Sequence, residues 1–230
     1  MAAVLLALCG CVVASVGSPS ASAATHRRPV CQRYRCRTVA ADSQVRVFRA
    51  TSRHPGRELE PEATFAQWLP SGRVTALGDS SGVEGDVLKG LDLSGRFVVC
   101  ALGVAAERYP GTGTGWAVQR LNAQTGHRER VSPDGVMSGS FGENSPGVTD
   151  VAVTPAGSIA WIDDGAFQNP LPGNGGVLPL GSKAVFDLLP SAGVPAVLAV
   201  SPAIDPKSLA AIPGRLYWIE GGVPRTASVR

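Results

Sequence analysis

An all-β chain, propeller-like and built from about four repeated small antiparallel sheets (blades) with little or no helix outside the signal segment, is predicted by three features of the sequence. Short apolar runs recur from Val39 onward between clusters of Gly, Pro, Ser and Asp. No stretch holds the i, i+3, i+4, i+7 spacing of an amphipathic helix over three turns. A unit made of an apolar strand, a tight glycine turn and a more hydrophobic strand also recurs, as in repeat architectures.

The first segment, residues 1–23, has the layout of a secretory signal: an apolar run from Ala2 to Val16, then small residues ending Ala21-Ser22-Ala23. Gly17, Ser18 and Pro19 interrupt the run before it spans a bilayer, and no later segment approaches the ~20 apolar residues of a transmembrane helix. Export with cleavage after Ala23 is therefore expected, to a secreted or cell-envelope location, with no transmembrane segment. Leu8-Cys9-Gly10-Cys11 also resembles a lipoprotein cleavage box, but lipidation at Cys11 would strand Val12, Val13 and Val16 outside the inserting stretch.

Residues 24–37 carry Arg, Pro and small residues without apolar periodicity, and are expected to be a basic flexible tether. Nine arginines, Arg27, Arg28, Arg33, Arg35, Arg37, Arg46, Arg49, Arg53 and Arg57, precede Glu58 against the single acid Asp42, whereas the remainder is net acidic. Such an arm has the charge to meet an acidic polymer by counterion release, or simply to be a solvated leader. It lacks the interleaved aromatics of a base-stacking surface, so nucleic acid is not an expected partner. An unknown protein or a cell-wall polymer is.

Three cysteines follow the signal: Cys31, Cys36 and Cys100. In an oxidising compartment Cys31 and Cys36 close a small loop and leave Cys100 a buried thiol, or either of the pair bridges to Cys100. A zinc site would want four ligands, and His26 is the only histidine near the pair.

Residues 38–230 are expected to form one domain, since roughly 200 residues bury around 70% of their unfolded surface in a single core. The recurring pairs are Leu91-Asp92-Leu93-Ser94-Gly95 with Arg96 to Leu102, Val151 to Gly157 with Ser158 to Ile162, and Leu209 to Gly214 with Arg215 to Ile219. The second strand of each is apolar at consecutive positions, as when a sheet is covered on both faces. Third strands are read at Trp116–Leu121 and Lys183–Leu188, and the first unit at Val45–Phe48 with Phe65–Leu69. The last unit lacks its outer strand, so the segment near Val39-Ala40-Ala41 is expected to supply a closing one and remove an exposed edge.

The opening Thr38-Val39-Ala40-Ala41-Asp42-Ser43-Gln44-Val45-Arg46-Val47, Gly95-Arg96-Phe97-Val98, Ile204-Asp205-Pro206-Lys207-Ser208-Leu209 and Leu216 to Arg225 are the stretches that carry a likeness. On these the chain resembles uncharacterised secreted proteins of high-GC soil actinobacteria. The resemblance implies a propeller-like β fold and export, and carries no activity with it.

Four groups of residues bear on chemistry. Gly78-Asp79-Ser80-Ser81-Gly82 matches the G-x-S-x-G nucleophile elbow, but Val83-Glu84-Gly85-Asp86 follows where a helix is required, and the only downstream histidine, His127, sits in a hairpin turn. Gly111-Thr112-Gly113-Thr114-Gly115 lacks the Lys-Ser or Lys-Thr of a phosphate cradle, and it and Asn169 to Gly176 read as loops. Asp163-Asp164 and the loop acids Asp79, Glu84 and Asp86 do not reproduce a calcium spacing and are expected to be solvated turn acids. Trp68, Trp116, Trp161, Tyr217 and Trp218 fall within strands and are expected in the core rather than on a sugar-binding face. No catalytic, cofactor-binding or metal-ligating residue is assigned, and no cofactor is called for. The expectation is an exported, non-enzymatic, monomeric binding or interaction module; the alternative is a secreted hydrolase using Ser80 or the loop carboxylates.

Overall fold

The computed structural model describes residues 30–52, 63–78, 88–104, 115–131, 147–164, 178–190 and 192–229. These residues form four small antiparallel sheets, each an up-and-down meander. The first comprises β1 (Tyr34–Ala41), β2 (Val45–Ser52), β3 (Ala63–Trp68) and β4 (Arg73–Ala76). The second comprises β5 (Leu88–Ser94), β6 (Phe97–Val104), β7 (Gly115–Asn122) and β8 (His127–Val131). The third contains β9 (Val148–Val153), β10 (Ile159–Asp163), β11 (Lys183–Leu188) and β12 (Ala196–Ser201), and the fourth β13 (Ala210–Ile212), β14 (Arg215–Glu220) and β15 (Val223–Ser228). One helical turn, α1 (Val30–Arg33), precedes β1. Among the described residues no helix is long and apolar enough to cross a membrane.

The all-β, propeller-like expectation holds, and the strand alternation shows how the sheets are stacked. Along β6, Val98, Cys100 and Leu102 pack with Val45, Val47, Ala66 and Trp68 of the first sheet. The intervening Phe97, Val99 and Ala101 pack with Val151, Val153, Ile159 and Trp161 of the third. Because successive residues of a strand face opposite sides, a run buried at every position needs a sheet on each side. β10 repeats the arrangement: Ile159 and Trp161 face the second sheet, whereas Ala160 and Ile162 meet Leu216 and Trp218 of the fourth. Each fully buried Val, Leu or Ile contributes roughly 1.5–3 kcal/mol, so these three seams hold the stack together.

β14 departs from the expectation. Only Leu216 and Trp218 are buried, and Ile219 is 38% exposed. Among the described residues no sheet covers its far side, so its second apolar row faces outward.

Two further expectations are corrected at the N-terminal side. Residues 30–37, assigned to a flexible tether, form α1 and the first half of β1, and Cys31 is disulfide-bonded to Cys36 across a Cα separation of 5.4 Å. The strand was invisible to apolar periodicity because its alternation sets Tyr34, Cys36 and Thr38 against exposed arginines. β1 also does not close the fourth sheet: it pairs with β2 from Tyr34↔Ser52 to Ala41↔Arg46. Sequence neighbours joined by the short Asp42 turn pair at far lower entropic cost than the two ends of the chain. Asp42 fixes that turn, its Oδ1 accepting from Gln44 N and Val45 N at 2.7 Å each.

Candidate functional site

The tight turns of the four sheets are interlocked at one end of the stack. Gly95, between β5 and β6, lies against Gln44 of the β1–β2 turn. Arg73 Nη1 donates to Thr125 O at 3.1 Å, joining the β3–β4 hairpin to the β7–β8 turn. Arg120 Nη1 donates to Gly157 O at 2.5 Å, tying the second sheet to the β9–β10 turn. Leu189, past the end of β11, packs with Leu216 and Val229, and Val229 N donates to Gly214 O at 3.0 Å in the β13–β14 turn.

Strand direction alternates in a meander, so the remaining connections leave from the opposite end. Those strand ends bound the connections β2–β3, β4–β5, β6–β7, β8–β9 and β10–β11, each longer than any turn of the locked end. The described residues of this second end include the β12–β13 connection and the β14–β15 turn. There Gly221 N donates to Ala203 O at 2.8 Å and Asp205 N to Ile219 O at 2.9 Å. Lys183 Nζ donates to Pro202 O at 3.0 Å, and Lys207 Nζ to Thr149 O.

Between the ends, a pair of carboxylates links successive sheets. Asp92 Oδ2 in β5 accepts from Val153 N in β9 at 2.9 Å, while Oδ1 accepts from its neighbour Leu93 N at 2.9 Å. Asp150 in β9 repeats the pattern one sheet on: Oδ2 accepts from Leu209 N at 2.9 Å and Oδ1 from Val151 N at 3.1 Å. Burial raises the pKa of both carboxyls against those hydrogen bonds. For Asp150, Lys207 works to lower it and the charge of Asp92 to raise it. Asp187 is likewise raised by burial, opposed by a hydrogen bond from its own backbone amide. The sequence carried a signal for Asp92 and Asp150, an acid in the middle of an apolar first strand of a repeated unit, which assigning strands alone did not use.

Other interior polar groups hold backbone in the same way. Gln119 Nε2 donates to Leu77 O at 2.9 Å, and Arg120 pairs with Glu129 besides its bond to Gly157. The expectation for Asp163 and Asp164 as solvated acids is overturned: Asp163 is 1% exposed, and Asp164 Oδ1 accepts from Gly147 N at 2.6 Å. Both sit where β10 ends against the start of β9, so they close a ladder instead of lining a loop.

The remaining candidates divide between the described residues and those outside them. Residues 79–87, which include Ser80 and the loop acids, lie outside, as do 111–114, 169–176 and the signal segment with Cys11. His127 is exposed at the start of β8, its amide accepted by Thr125 Oγ1 at 3.2 Å. Trp68, Trp161 and Trp218 are buried, Trp161 stacked on Phe186 with ring centroids 5.2 Å apart. Tyr217 is half-buried in β14. Cys100 is buried and outside the disulfide. Among the described residues no three His, Cys, Asp or Glu side chains are grouped so as to hold a metal ion.

No family model matches the chain, and no curated protein does. Among solved structures it is similar to a chain of "Complex of KlAtg21 with coiled-coil of AgAtg16", at 9% identity and a TM-score of 0.46, over 84% of this chain and 52% of that one. It is also similar to a chain of Kuenenia stuttgartiensis hydrazine synthase, at 12% identity and a TM-score of 0.43, over 83% of this chain and 57% of that one. The chain thus spans little more than half the length of each.

Proposed function

We propose that the protein is an exported, non-enzymatic binding module that meets its partner with the end of the stack from which the long connections leave. The observation carrying this reading is the asymmetry of the two ends. One is tied down turn to turn by Arg73, Arg120 and Val229, and the other is where the chain spends its longest connections. Loops set on a rigid scaffold are where recognition residues concentrate. Asp92, Asp150 and Arg120 are engaged with backbone groups of neighbouring sheets, a structural use. Export is supported by the layout of residues 1–23 and by the Cys31–Cys36 disulfide, a bond that persists in oxidising compartments.

The test is turnover of ester, peptide and glycoside substrates by the purified protein and by Ser80→Ala. No turnover above background by either protein is expected. Hydrolysis by the wild type that disappears in Ser80→Ala would replace the binding module with a serine hydrolase.

A further inference from the structure

The rim of the third sheet carries an edge without protection. We infer that β12 is a self-association site, at which a second copy of this chain adds its own β12 antiparallel, about a two-fold axis between Leu198 and Ala199. Two four-stranded sheets then run on as one. This goes beyond the reading above, because it concerns a sheet edge and stands whether or not the long-connection end binds anything.

Three observations carry it. First, among the described strands β12 pairs with β11 alone, and its sequence, Ala196-Val197-Leu198-Ala199-Val200-Ser201, holds no charge, proline or glycine. An exposed apolar edge of this kind is a template for another strand. The other sheets end differently: β4 is short and starts at Arg73, β8 carries Arg128-Glu129-Arg130, and β15 carries Pro224 and Arg225. Second, apolar surface is left open at this edge. Val197 is 36% exposed, Val200 40%, and Val194, just before the strand, 64%. Leu198 and Ala199 are already engaged, packed on the cluster of Val185 and Trp218 in the seam with the fourth sheet. Third, the strand is complementary to itself in one register.

That register follows from a bulge. β12 has one residue more than β11 between the pairs Phe186↔Val197 and Val185↔Ala199. Leu198 and Ala199 therefore both turn toward the fourth sheet, and Val197 and Val200, opposite Phe186 and Ala184, share the other face. In a regular antiparallel pair hydrogen-bonded and non-hydrogen-bonded positions alternate, so a strand cannot pair with its own copy about a point between two residues. The bulge lifts that restriction. Pairing about the Leu198–Ala199 bond sets Val197 of each copy opposite Val200 of the other, with Cβ atoms about 5 Å apart, and Ala196 opposite Ser201. The exposed valines of both copies then cover one another, and no charge on the strand meets a like charge. Pro195 and Pro202 stand at equal distances from the same centre. Lacking an N–H, they end the ladder at both sides, so a slipped register loses part of the strand. A second copy matches the edge, its valines and both of its ends at once.

The experiment is analytical ultracentrifugation of the purified protein from low-micromolar to near-millimolar concentration, since so short a ladder makes a small, weak interface. A reversible monomer–dimer equilibrium is expected, with no larger species, because the two-fold pairing uses up the edge. Val197→Lys/Val200→Lys sets lysine against lysine across the axis and should weaken dimerisation about tenfold or more. Val197→Lys/Val200→Glu sets each lysine opposite a glutamate of the other copy and should bring Kd back to within about threefold of wild type. The control Ile212→Lys/Ile219→Lys, on the outward face of the fourth sheet, should change Kd less than about twofold. If the lysine pair fails to fold by circular dichroism, Val197→Thr and Val200→Thr singly are each expected to weaken dimerisation about threefold. A wild type monomeric at every concentration, a dimer that the lysine pair leaves intact, equal weakening by the control, or a Lys/Glu variant no better than Lys/Lys overturns the proposal. None of these results bears on the long-connection end, whose test is turnover and Ser80→Ala.

Discussion

Replacing Gly157 by alanine tests whether the second and third sheets are pressed together as described. Gly157 has φ of 92° in the β9–β10 turn, and a Cβ built there lies 2.7, 2.9 and 3.0 Å from three atoms of the Phe97 ring. Two costs add. An L-residue in the left-handed region costs about 1 kcal/mol relative to glycine. Moving a core ring aside costs about 1–3 kcal/mol, and Phe97 is only 8% exposed within the seam it shares with Val151, Val153 and Trp161. The expected destabilisation is therefore about 2–4 kcal/mol, a large part of the ~5–15 kcal/mol typical of a domain. At roughly 2–4 °C per kcal/mol for a chain of this size, Tm should fall by about 4–16 °C. The assay is urea and thermal unfolding followed by circular dichroism for the wild type, Gly157→Ala, Phe97→Leu and the double variant. Leucine frees the space the ring occupies, so the double variant should be less destabilised than the sum of the singles by about 1–2 kcal/mol. A Gly157→Ala protein within about 0.5 kcal/mol of wild type, or strict additivity in the cycle, would refute the close approach of turn and ring.

Asp92→Asn and Asp150→Asn keep an acceptor for the amides of Val153 and Leu209 but remove the desolvated charge. Each carboxyl's folded pKa lies above its ordinary 3.8, so its stabilising share is full below about pH 3.8 and is lost as pH rises through the raised value. Urea midpoints from pH 4 to 7 should therefore fall more steeply for wild type than for the asparagine variants, and parallel profiles would refute this. Asp92→Ala should instead lose about 1–3 kcal/mol throughout that range, because it strands the Val153 amide. On the fourth sheet, Leu216→Ala should cost about 2–5 kcal/mol in urea unfolding and Ile219→Thr less than about 0.5 kcal/mol; comparable costs would mean that the outward row of β14 is covered.

How much was legible in the sequence depended on whether a residue's partner was local. Every strand pair read from an apolar run and a glycine turn was found: β5 with β6, β9 with β10, β13 with β14. In each the turn residues dictate the pairing within a few positions. β1 was missed because its outward positions are arginine, and its strand character comes from pairing with β2 and from a disulfide whose partner the sequence left open. Asp163 and Asp164 were misread because acids next to glycine normally mark solvated turns; their burial depends on the return of β9, some fifteen residues earlier, alongside β10. The one-sided burial of β14 was equally illegible. Its sequence is as apolar as that of β10, and only the absence of a further described sheet beyond it distinguishes the two.

The carboxylate clamps follow from the same stacking. β5 and β9 are the first strands of their sheets, each with one side paired within its sheet and the other facing a neighbouring sheet. Backbone amides on that side need an acceptor once they are buried, at a penalty of about 1–3 kcal/mol if none is found. Strands of separate packed sheets are not in register to form a ladder, so Asp92 reaches across to Val153 N and Asp150 to Leu209 N. β13, with the sequence Ala210-Ala211-Ile212, has no acid to extend the series, and no described sheet follows it. Among the described residues the first seam shows no such clamp either: Gln119 holds Leu77 O there and Arg73 holds Thr125 O, from the third and fourth strands of the sheets. Among the described residues the first and second sheets are thus tied through their outer strands, and the second to fourth through their first strands, with Arg120 of β7 adding a bond to Gly157 O. Removing both clamps with Asp92→Ala/Asp150→Ala should therefore loosen the third and fourth sheets ahead of the first. Amide hydrogen exchange would show this as faster exchange in β9, β10 and β14 with β2 and β3 unchanged, whereas uniform acceleration across all four sheets would mean that the seams do not act separately.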